Sequence, residues 1–136
     1  MQDSKFVKAM LIISGVLLLF IGGAYLFTPI EFYSSANETD ISGQVNLLSE
    51  IRASGGGLFL GGLLVLLGAF KPKLTYTSTI ISIMIWMGYG LARIIAISAD
   101  GMPNEGLFTV MFIEIIIGVS GIFAINKYAV DQSASA

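Results

Sequence analysis

The sequence predicts an all-α integral membrane protein, a four-helix bundle with both termini cytoplasmic. Three observations predict it. Of 136 residues, 55% are hydrophobic and 12% charged, against roughly a quarter charged in an ordinary soluble domain. Four apolar runs each come close to the roughly 20 residues that a spanning helix needs. Every lysine falls on one side of the topology those runs define.

The first span is expected over about residues 9–27, from Ala9 to Phe27. Lys5 and Lys8 precede it as they would a signal peptide, but the run is too long for such a segment and no clear small-x-small cleavage site precedes Tyr25, so it is read as a retained helix. The second is expected over 46–70, the third over 74–99 and the fourth over 107–125, making a single domain over 1–136. Between them lie a loop from Thr28 to Val45, links at Lys71–Lys73 and Asp100–Gly106, and a polar tail after Asn126. Pro29, Pro72 and Pro103 sit at span ends, where a missing N–H does least harm.

Orientation follows from the cations. Lys5 and Lys8 precede the first span, Lys71 and Lys73 join the second to the third, and Lys127 follows the fourth. The other two loops carry Glu31, Glu38, Asp40, Asp100 and Glu105 with no lysine or arginine. The positive-inside rule therefore puts both termini and the Lys71–Lys73 turn in the cytoplasm.

Composition also excludes chemistry. The absence of cysteine and histidine removes disulfides, thiolate nucleophiles, the usual zinc and haem ligands and the imidazole base. No cofactor or metal is expected; the methionines suit Cu(I) only weakly without those partners. A net charge of −2 with no basic stripe argues against nucleic acid. Ser49, Ser54 and Ser98 lack an activating base, since the lysines fall on the opposite side. Proton transfer by Glu50 or Glu114, or a cofactor-borne reaction, is the only catalysis left, and the sequence favours a non-enzyme. The acidic loop residues lack an EF-hand order and read as solvated, and Ser54-Gly55-Gly56-Gly57 lacks the Gly-Lys-Ser/Thr of a phosphate loop.

Glu50, Arg52, Arg93 and Glu114 lie in or at the ends of the apolar runs. A charge there costs roughly 2.5–3.5 kcal/mol or more unless it is partnered. Arg52 lies six residues past Asn46, Arg93 six before Ala99 and Glu114 seven past Leu107, which puts each roughly 9–10 Å below the outer boundary at 1.5 Å per residue. Glu50 and Asn46 sit above that level and Asp100 closes the lip. Helical spacing aligns Glu114 with Gly118 and Gly121, Arg52 with Gly56, and Arg93 with Trp86, Tyr89 and Asp100; Gly15, Gly22 and Tyr25 form the comparable stripe of the first span. Glu50 and Arg52 point about 200° apart and cannot pair. Glu114 is the natural counter-ion for Arg93 or Arg52. The predicted ligand site is therefore Arg52, Arg93, Glu114, Glu50, Asn46 and Asp100 around a polar head group, with Trp86 and Tyr89 against an apolar tail. The competing reading is an ion-pair network that only fixes helix register.

The segment Q-V-N-L-L-S-E-I-R-A-S-G-G-G-L-F-L-G-G from Gln44 to Gly62, then G-L-A-R-I-I-A-I-S-A-D-G-M-P and the buried Glu114, resemble an uncharacterised bacterial four-span membrane family, domain of unknown function 4345. Glu50, Arg52, Arg93, Ser98, Asp100, Gly101, Pro103 and Glu114 are the matching positions, while Ala92 stands where a glycine is usual and the serine spacing differs. The resemblance implies a multi-pass protein of the bacterial inner (plasma) membrane and brings no known reaction. A more distant similarity is to DoxX-like four-helix membrane proteins, some associated with thiol and sulfur oxidation; it bears on fold alone.

Three functions fit these features. One is binding or carriage of an amphiphile such as a membrane lipid or isoprenoid. Another is an accessory subunit or assembly factor, docking a membrane-protein partner or a second copy through glycine-rich helices. The third is a proton- or ion-coupled transporter using Glu114, although four spans without an evident inverted repeat would have to oligomerise to enclose a path.

Overall fold

A computed structural model describes Met1 and residues 3–133, with side chains as far as Tyr128. The helices are α1 (Lys5–Phe27), α2 (Pro29–Asn37), α3 (Val45–Gly68), α4 (Thr75–Asp100) and α5 (Glu105–Ser133), with a single 3-10 turn at Pro72–Leu74 before α4. Four are long and apolar enough to cross a membrane. The chain is thus an all-α membrane bundle, with no strand among the described residues.

The helices extend beyond the apolar runs where capping allows. α1 begins at Lys5 because Ser4 caps it, its Oγ accepting from the Val7 N–H at 3.4 Å. α5 continues through the polar residues beyond 125 to Ser133, since loss of hydropathy ends the membrane-crossing part without ending the helix. α3 stops at Gly68, two residues before its expected end, as the chain turns towards Lys71 and Pro72.

The expectation that 28–45 is only loop needs correction. α2 occupies Pro29–Asn37, with Pro29 at its first turn, Glu31 near its positive end, and a stop at Glu38 in the left-handed region at φ 55°. It docks on α1 through aromatic edges: Phe32 meets Tyr25 with ring centroids 5.3 Å apart and Phe20 at 5.9 Å. The connection onward is pinned by Ile41, which is fully buried.

α1 and α3 form the tightest pair, and α4 and α5 the next. On the first, Gly15 and Gly22 of α1 interlock with Gly55 and Gly62 of α3. A Cβ on Gly22 would strike the Phe59 backbone N and the Gly55 carbonyl; one on Gly62 would strike Leu18 and Leu19. Gly118 and Gly121 of α5 receive Met87 and Ile83 of α4 in the same way. Val7, Met10, Leu11, Leu18, Leu58, Val65, Trp86 and Ala124 fill the centre. Ile13, Phe20, Leu60, Met84, Ile95 and Ile116 face outward, as expected where the surroundings are as apolar as the core.

α4 also buries a stripe of hydroxyls that the sequence reading overlooked: Thr75, Ser78, Thr79 and Ser82. Each is satisfied. Thr75 donates to the Gly68 carbonyl at 2.9 Å, Ser78 to Leu64 at 2.8 Å and Thr79 to Thr75 at 2.7 Å, while Ser82 meets Ser14 of α1 at 2.7 Å.

Candidate functional site

Two glycines one turn from charged residues bring α4 and α5 together at the site. A Cβ on Gly90 would touch Ile115 and come within 3.5 Å of Glu114 Cβ, so the bare backbone at Gly90 is what lets α5 close on α4 beside Arg93. Glu114 then projects inward on the stripe it shares with Gly118 and Gly121, all three buried. Arg93 Nε donates to Glu114 Oε2 at 2.8 Å and Nη2 to Oε1 at 3.0 Å. This planar, two-point pairing is the strong form of the arginine–carboxylate contact. It is the only ion pair among the described residues, with the Glu114 side chain 5% exposed and that of Arg93 27%. The pairing expected from their shared depth is present.

Beside the pair lies a cavity of about 190 Å³ to which all five helices contribute. Leu18, Leu58 and Trp86, each near the middle of its helix, line the deep part; Phe32 and Ala36 line the end beside α2. Tyr25, Tyr89, Arg93 and Glu114 supply its polar atoms. The Trp86 N–H is already engaged, donating to Ser14 Oγ at 2.6 Å, and the Tyr89 hydroxyl meets Ser54 Oγ of α3 at 3.0 Å. Trp86, 3% exposed, therefore packs the core and walls the cavity at once. Asn104 makes two bonds that hold the neighbouring elements together. Its Oδ1 caps α5 by accepting from the Leu107 N–H at 2.9 Å, and its Nδ2 donates to the Ala36 carbonyl at 3.0 Å, tying α2 to the α4–α5 link.

The other expected site residues are not brought to the pair. Arg52 is exposed and donates through Nη1 to the Leu26 carbonyl. It satisfies one of the unpaired carbonyls in the last turn of α1, where a cation is favoured, and it does not line the cavity. The expected alignment of Arg52 with a packing glycine also fails: Gly56 has open space around it, and Gly55 makes the contact with α1. Asn46 and Glu50 lie on the exposed face of α3 with Ala53 and Gly57, opposite Ile51, Gly55 and Leu58. Asp100 is exposed at the end of α4. Of the residues expected at a ligand site, Arg93, Glu114, Trp86 and Tyr89 line the cavity, and Arg52, Glu50, Asn46 and Asp100 do not.

Tyr25, Phe32 and Asn104 were missed. Tyr25 already stood on the Gly15–Gly22 stripe, and the Thr28-Pro29-x-Glu31 pattern carries the start signal of α2. Nothing in the local sequence marks Asn104 as bridging to Ala36. Outside the membrane, Asp40 is held below the usual carboxylate range by the Ser42 hydroxyl and backbone N–H. No group of three or more metal-ligating side chains occurs among the described residues.

A family model described as a domain of unknown function, DUF4345, matches residues 6–125. The chain belongs to this family. The match spans all five helices of the bundle, so the whole cavity of this DUF4345 chain lies within the family's domain. Comparison with curated proteins and with solved structures gives no match. The DUF4345 description assigns no activity, and the functional reading rests on geometry.

Proposed function

We propose that this chain binds a membrane amphiphile in the cavity, with the polar end at Arg93 and Glu114 and the apolar part against Trp86, Leu18 and Leu58. The observation that carries this reading is the open volume beside a satisfied intramembrane ion pair. A pair that served only to fix register would gain from close packing around it, because protein interiors normally leave few voids larger than a water molecule. Here about 190 Å³ stays open next to it, and ionisable groups within membranes usually mark functional sites. Ile85 and Tyr89 line both the cavity and a shallow surface notch formed with Met84, Gly88 and Ala92, which marks this side of the bundle as the approach for a ligand.

Native mass spectrometry after gentle extraction tests this. The wild type is expected to retain a small bound mass, and Val110→Phe, which places a ring into the cavity from α5, to fold and lose it. A wild type free of any small bound mass, above all one held in a larger protein complex, would replace this reading with that of an accessory subunit.

The proposal includes an orientation in the plasma membrane with both termini and the Lys71–Lys73 turn cytoplasmic, supported by the lysine distribution. The chain has no native cysteine. Thr39→Cys is expected to react with an impermeant maleimide from outside intact cells, and Asp3→Cys only after permeabilisation. The reverse pattern would invert the topology.

A further inference from the structure

Resting on the amphiphile reading, we infer that the head group taken by this cavity is a neutral single ring carrying a hydrogen-bond acceptor, such as a cyclic ketone or a phenol, attached to an apolar chain. Charge balance, free donors and size each point to it.

Arg93 and Glu114 neutralise one another through two hydrogen bonds. No other charged side chain lines the cavity, and Arg52 is engaged with the Leu26 carbonyl. An anionic head would leave one negative charge uncompensated inside the bundle and a cationic head one positive charge, a large penalty where water is scarce. A neutral head leaves the balance intact.

The free donors lie on Arg93 and Tyr25. A guanidinium carries five N–H groups, and Glu114 takes only the Nε–H and one on Nη2, leaving those of Nη1 and the second on Nη2 without a protein acceptor. The Tyr25 hydroxyl forms no hydrogen bond with the described residues, whereas Trp86 and Tyr89 are committed to Ser14 and Ser54. An oxygen acceptor on the ligand would meet these donors.

The volume suits a head of about one ring. An apolar protein cavity of about 150 Å³ takes up benzene, and this one is about 190 Å³, enough for a six-membered ring and a few substituents. The walls of Tyr25, Phe32, Trp86 and Tyr89 suit a flat or nearly flat ring. Its chain would pass between Ile85 and Tyr89 towards the surface notch.

The chain has one tryptophan, and it is Trp86 in the cavity wall, so its emission reports occupancy directly. Protein in nanodiscs is titrated with propylcyclohexanone, with the similarly shaped anion propylcyclohexanecarboxylate and with the cation propylcyclohexylammonium, each referred to its concentration in the bilayer. The ketone is expected to shift the emission saturably, with half-saturation about tenfold or more below that of either ion, as mismatched charge dictates. Arg93→Met/Glu114→Met should weaken the ketone response about tenfold by removing the donors. Tyr25→Phe, which deletes a single hydroxyl, should weaken it several-fold and keeps the test available if the double variant fails to fold. Equal or tighter binding of either ion would overturn the neutral-head inference and leave the amphiphile reading standing. No saturable response to any probe would also overturn it; if the wild type still carries a bound mass on extraction, the site then takes a different head group.

Discussion

Arg93→Met is expected to destabilise the bundle by about 3–5 kcal/mol, the usual cost of stripping one partner from a buried ion pair. Both oxygens of the Glu114 carboxylate are held by Arg93 and by no other described residue, and the side chain is 5% exposed, so no described donor stands ready to take over. Glu114→Met should be comparably damaging, because the guanidinium stays charged wherever it is buried. Arg93→Met/Glu114→Met, by contrast, removes both charges and keeps both volumes, and such apolar replacement is often neutral or stabilising. Thermal aggregation after mild extraction should therefore rank the double variant above either single variant. A double variant as unstable as the singles would mean that the pair supports the fold through more than its own charge balance.

Gly22→Ile is expected to break the α1–α3 pair. Its side chain would meet the Phe59 N and the Gly55 carbonyl, which are backbone atoms and cannot rotate away. Overpacking a core usually costs about 1–3 kcal/mol because neighbouring side chains adjust. Here the helices themselves must separate, so the loss should fall at or above the upper end of that range. Gly57→Ala is the matched control on α3: nothing lies within contact of its Cβ, and replacing a helical glycine there should change stability by less than about 1 kcal/mol, in the stabilising direction. The same detergent-extraction assay reads both. Equal tolerance of the two variants would contradict the α1–α3 packing.

The bilayer makes four spans easy to read, because each must present a long apolar run with its backbone satisfied internally. α2 escaped that logic. It is nine residues long, is not apolar enough to cross, and is specified by Pro29 and Glu31 at its start and by aromatic docking on α1. The Arg93–Glu114 contact was legible from shared depth plus a glycine stripe, since the two residues sit on consecutive helices joined by a short link. Arg52 has comparable depth but the wrong azimuth. Among Gly55, Gly56 and Gly57 the sequence does not say which meets α1, and the choice of Gly55 turns Arg52 outward to the end of α1. The cavity was illegible for a different reason: it is the volume that side chains from five helices fail to fill, which no single segment records.

Arg93 and Glu114 meet between α4 and α5, and the proposed function makes them the polar wall of a binding cavity inside the membrane. Solid-state NMR in lipid bilayers tests it most directly, by measuring the dipolar coupling between nitrogen-15 in the arginine guanidinium groups and carbon-13 in the glutamate carboxyls. With two arginines in the chain, Arg52→Lys leaves Arg93 as the only guanidinium signal. N···O separations of 2.8 and 3.0 Å predict a strong coupling of that signal to a glutamate carboxyl, abolished by Glu114→Met. A guanidinium that shows no carboxyl coupling and exchanges freely with water would mean that the two residues do not meet in the bilayer.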